Sequence, residues 1–131
     1  MKVTADTNVL VRALVQDDPA QGQAASAILT QADWVTIPLP VFCELVWVLR
    51  KVYGFTTADC SRAIEALMSS RSVKADRPAV AAGLRLLASG GDFADGVIAF
   101  SGRRLGGELL VTFDRTAARL LSEAGESVLL L

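Results

Sequence analysis

Short β-branched segments recur along this chain, and between successive ones lies enough helix-forming sequence to cross a sheet. The segments are "KVTA" (2–5), "WVTI" (34–37), "VKA" (73–75), "LLVTF" (109–113) and "SVLLL" (127–131). Antiparallel neighbours need only a tight turn, whereas strands separated by helices pair in parallel. The alternation therefore predicts an α/β fold, a three-layer α/β/α sandwich around a central parallel sheet of about five strands. The intervening helices carry their own punctuation. A helix is expected over 8–15. Asp18 before Pro19 opens one to residue 31, and Pro40 starts one to residue 53, closed by Gly54. Thr56 caps a helix to residue 70, and Arg77 with Pro78 begins one ending at Gly90 and Gly91. Asp92 caps one ending near Gly106 and Gly107, and the last covers 115–124. With no repeat or linker, residues 1–131 read as a single domain.

Composition narrows the chemistry. The chain has no histidine, which removes Ser-His-Asp and Cys-His catalysis, imidazole acid–base chemistry and most transition-metal sites. Cys43 and Cys60 fall in expected helices without CxxC spacing and read as buried thiols. Apolar residues make up 52% of the chain, enough to fill a core and leave an apolar surface for a partner. Pro38, Pro40, Glu44 and Arg50 interrupt the most apolar windows, so none reaches the ~20 residues of a membrane span. The N-terminus lacks the apolar run of a signal peptide, and the cytoplasm is the expected location. A net charge of −1 lacks the basic excess usual in nucleic-acid binders. Only local pairs such as Arg103 with Arg104 supply positive charge.

What remains is carboxylate chemistry. Asp6 follows the first strand and Asp114 the fourth, so both stand at the C-terminal edge, where open parallel sheets bind ligands. Each also suits the cap of the next helix. Glu44 is the only charge between Asp33 and Arg50, in the apolar helix "PVFCELVWVLRK". It must lie at a solvent edge or be compensated. In "GGDFADGVIAF", Asp92 suffices as a cap, while Asp95, three residues on, is not needed for one. Two unit charges about 4 Å apart repel by roughly 4 kcal/mol at an effective dielectric of about 20. Converging carboxylates therefore protonate or share a cation, and an all-oxygen set selects Mg²⁺ or Mn²⁺. Such an ion suits phosphodiester hydrolysis.

Taken in order, "ADTNVLVRAL", the lone Glu of a proline-led apolar helix, "DFADGVIA" and "LLVTFDR" resemble the PIN domain. Within it they resemble the VapC-type toxins of toxin–antitoxin pairs, over essentially the whole chain. The resemblance implies a metal-dependent endoribonuclease on a parallel sheet, usually a homodimer, inhibited by a small antitoxin that wraps it. It assigns Asp6, Glu44, Asp95 and Asp114 as the four catalytic, metal-holding acids. Thr112 matches the hydroxyl residue that holds the last acid or a metal-bound water, and Asn8 the amide that orients Asp6. Asp92 is a cap with an outer-shell contribution. Arg12, Arg103, Arg104 and Arg115 are the candidate phosphate contacts to RNA.

Rival readings fit less well. A phosphoryl-transfer enzyme with a nucleophilic Asp on strand 1 places a second Asp two residues later, where this chain has Asn8. A receiver domain needs a late Lys, and none follows Lys74. The alternative from another class is a non-catalytic PIN-fold module that docks protein or RNA.

Overall fold

The structure is a computed structural model that describes residues 1–131. Backbone contacts divide it into two compact units, Met1–Asp76 and Arg77–Leu131. All five expected strands and all seven helices form, and every strand pair is parallel. The α/β class stands. Hydrogen bonding joins the strands in ladders of three and two rather than in a single ladder of five. No helix is long and apolar enough to cross a membrane.

The N-terminal unit runs β1 (Lys2–Thr4), α1 (Thr7–Val15), α2 (Pro19–Gln31), β2 (Trp34–Thr36), α3 (Leu39–Lys51), α4 (Thr57–Ser69) and β3 (Val73–Lys74). The strand order is β1-β2-β3, so each crossover steps the same way. Crossovers between parallel strands are right-handed, which puts the connecting helices on one face. Accordingly α1 packs on α2 and α3, and α3 on α4. Val35, Ile37 and Val73 are buried, and Phe42, Leu45, Leu49, Cys60 and Ile64 complete this core. The helix starts obey their side chains. Asp18 accepts from the Gln21 N–H at 3.1 Å. Thr56 and Asp59 form a reciprocal capping box. Helix α3 begins one residue before Pro40, with Pro38 as its extended cap. Proline is harmless in the first turn, where the N–H has no helical partner.

The C-terminal unit runs α5 (Arg77–Ala88), α6 (Phe93–Arg104), β4 (Leu110–Thr112), α7 (Arg115–Glu123) and β5 (Val128–Leu130). Leu86, Ala99, Ala117, Leu120 and Leu121 form its core, with Leu110 and Val128 packed against them. Helices α5 and α6 meet closely because both are glycine at the crossing. A Cβ on Gly96 would lie 2.5 Å from the Ala82 carbonyl oxygen, and one on Gly83 would lie 2.6 Å from the Phe93 ring. The opposite face of the β4–β5 ladder is apolar and open. Leu109, Val111 and Phe113 alternate along one strand, Val111 is in register with Leu129, and Leu131 follows. All five are exposed, Phe113 at 80%.

Candidate active site

In the N-terminal unit, strand β1 ends at Thr4, and Ala5 still bonds to the ladder through the Thr36 carbonyl. The next residue, Asp6, takes the extended backbone of an N-cap. Its Oδ1 accepts from the Thr7 N–H at 2.8 Å. Thr7 is the one buried polar residue of the chain, 6% exposed. A buried hydroxyl without a partner is costly. Here Thr7 Oγ1 donates to Glu44 Oε2 at 2.8 Å, across 37 residues of sequence. One threonine thus joins the carboxylates of Asp6 and Glu44.

Glu44 resolves as a solvent-edge residue. It is exposed on α3 between the buried Phe42 and Leu45, with the exposed Trp47 one turn on. The sequence reading gave Asn8 the role of orienting Asp6. In the structure the Asp6 carboxylate accepts from the Thr7 N–H, and Asn8 forms no hydrogen bond to Asp6. The first amide of α1 is nearest the cap carboxylate, whereas Asn8, about 100° further round the helix, is exposed beside Val9 and Ile28.

In the C-terminal unit, Asp95 lies in the first turn of α6 and is half-buried. Burial pushes its carboxyl above the ordinary value, and the charges of Asp92 and then Asp114 push it further. Asp92 and Asp114 are therefore both within electrostatic reach of Asp95. Asp92 occupies the N-cap position as expected, yet its side chain makes no capping bond. Asp114 caps α7, its Oδ1 accepting from the Ala117 N–H at 2.9 Å. The Thr112 hydroxyl accepts from the Asp114 N–H at 3.0 Å, holding the backbone of that acid rather than its carboxylate.

Neither unit taken alone groups three Asp, Glu or Cys side chains so as to hold a metal ion. The donors nevertheless suit a hard cation. They are all carboxylate oxygens, and burial raises the pKa of both thiols, Cys43 and Cys60, which keeps them protonated and poor ligands.

The candidate phosphate-binding arginines differ in their surroundings. Arg12 donates to Gln21 at 2.8 Å, Asp17 at 2.9 Å and Tyr53 at 3.3 Å, tying α1 to α2 and to the loops after α1 and α3. Arg103 pairs with Glu126 at 3.0 Å. Arg104 stacks over Phe100, its guanidinium 4.7 Å from the ring centroid. Arg115 is exposed at the start of α7. The sequence pattern assigns Thr7 no part in the site. Its polar side chain at an otherwise buried helix position was the available signal.

The PIN domain family model matches residues 3–121 and so runs through both units. No curated protein matches the chain.

Proposed function

The chain belongs to the PIN domain family, and from that premise we propose that it is a Mg²⁺- or Mn²⁺-dependent endoribonuclease of the VapC toxin type. In this reading residues 1–131 act as one domain in the cytoplasm, as a homodimer restrained by a cognate small antitoxin. The observation that carries it is the Thr7 link. Two acids distant in sequence are held by one buried hydroxyl residue, an arrangement that a simple helix cap does not require.

Asp6, Glu44, Asp95 and Asp114 are the residues that would hold the cation. When bound, it would polarise a phosphodiester and lower the pKa of an attacking water. Thr7 fixes Glu44 through one carboxylate oxygen and Asp6 through its N–H. A positive charge would relieve Asp95, since burial and two neighbouring acids disfavour its ionised form. Thr112 fixes the backbone that presents Asp114. Arg103, Arg104 and Arg115 are the proposed phosphate contacts in the C-terminal unit.

The test is cleavage of a mixed single-stranded RNA. The chain is expected to cut only with Mg²⁺ or Mn²⁺, and Asp6→Asn to lower the rate by about 100-fold or more. Cleavage that persists in chelator or in that variant overturns the catalytic reading. RNA that is bound but never cut favours the non-catalytic module.

A further inference from the structure

Side chains alternate across a strand, so the β1-β2-β3 ladder has a second face, opposite its helices. In register Lys2 stands beside Trp34, and Thr36 beside Lys74. Trp34 is 38% exposed. Its indole has the Lys2 Nζ at 4.6 Å and the Lys74 Nζ at 4.9 Å from the ring centroid. The ring is held in place, since Nε1–H donates to Thr36 Oγ1 at 3.2 Å. Lys74 is also placed, donating to the Arg71 carbonyl at 3.1 Å.

These charges lack anionic partners. The adjacent acid, Asp33, is taken by the N-terminal ammonium, and neither lysine forms an ion pair. Both sit over one ring, so they are less than about 10 Å apart, close to the Debye length of about 8 Å at physiological salt. Salt leaves part of their repulsion unscreened, and a phosphate between them would remove it.

We propose that Lys2, Trp34 and Lys74 form a binding site for single-stranded RNA, apart from the cleavage centre. An aromatic face with flanking cations is the combination that holds an unpaired strand: the ring stacks a base and the ammonium groups take its phosphates. Stacking a base is stronger than an exposed cation–π contact, so a base displaces a lysine from the ring and leaves it to a phosphate. The site lies within reach of the acids. Lys2 and Asp6 are four residues apart along β1 and its extension, about 13 Å at ~3.3 Å per residue, with the exposed Thr4 between them. A strand of a few nucleotides spans that distance. RNA as the anion rests on the nuclease reading above. The site also supplies local positive charge to a chain whose net charge is −1.

The experiment measures binding without cleavage. A labelled single-stranded RNA of about 12 nucleotides, within the usual footprint of such sites, is titrated with the full chain in chelator at several salt concentrations. In the double variant Lys2→Gln/Lys74→Gln, affinity at about 0.1 M salt is expected to fall about tenfold or more. The slope of log K against log salt should flatten by about 1.4, two phosphate contacts' worth on a single strand. Trp34→Leu should weaken binding by a similar factor and Trp34→Phe by less. If Trp34→Leu fails to fold, the lysine variant decides alone. Unchanged affinity and slope in that variant overturn the site, and so does a wild-type chain that binds no RNA. Cleavage assays on the same preparations separate the two readings. A chain that cuts RNA while the lysine variant binds normally is a nuclease without this site. A chain that binds through the lysines but cuts RNA with neither Mg²⁺ nor Mn²⁺ keeps the site and loses the nuclease reading.

Discussion

Thr7 carries more of this site than its place in a turn suggests. Its hydroxyl is buried and has Glu44 as its partner. A net hydrogen bond contributes about 1 kcal/mol, and a stranded partner costs more. Thr7→Val is therefore expected to lower stability by about 1 kcal/mol. It should also reduce kcat on RNA by about tenfold or more with KM little changed, as an outer-shell residue does. Thr7→Ser should restore both; a Ser variant as impaired as the Val variant would make the role one of packing. Asp95 behaves in the opposite sense. Its folded-state carboxyl titrates above the ordinary 3.8, because of burial first and then Asp92 and Asp114. Folding takes up a proton there, so this group's contribution to stability is greatest below 3.8 and declines as pH rises through the raised value. Asp95→Asn should raise the metal-free Tm at pH 7 by about 2–5 °C and flatten the decline above pH 3.8. A lower Tm would mean the acids do not repel. At this scale the sequence exposed the acids, which sit at strand–helix junctions, in the first turn of a helix or alone on an apolar helix. It hid Thr7, whose partner is 37 residues away.

Helix boundaries were legible wherever a side chain bonds to a nearby amide. Asp18 and Thr56 cap as their positions imply, because the groups involved are only three residues apart. Asp92 occupies its cap position but makes no such bond, and its charge acts on Asp95 instead. The close approach of α5 to α6 was not legible. "DFADGVIA" contains Gly96, but only the structure shows the Ala82 carbonyl against it. Gly96→Ala pushes a methyl into backbone, which cannot give way like a side chain. It should destabilise by about 1–3 kcal/mol, as overpacking does, measured by chemical denaturation. A neutral result would mean that the two helices can separate at little cost. Since Asp95 precedes Gly96, RNA cleavage should fall with stability.

On the scale of the whole molecule, the apolar excess has a location. Leu109, Val111, Phe113, Leu129 and Leu131 share one exposed face of the β4–β5 ladder. A contiguous apolar face of this kind marks an interaction surface, and a second copy of the chain is the proposed occupant. The purified chain should sediment as a dimer, and Val111→Lys/Phe113→Lys should shift it to monomer. A monodisperse wild-type monomer at high concentration would contradict this. The sequence alone determined the α/β class, the order of strands and helices, the candidate acids and the exclusion of imidazole catalysis. These follow from periodicity, capping and composition, which act over a few residues or over the whole count. Tertiary structure decided which groups meet: Thr7 with Glu44, Asp95 with its neighbouring acids, Trp34 with two lysines, and Gly96 with a carbonyl. Those pairings depend on how strands register and helices cross, and residues far apart in the chain carry no local signature of them.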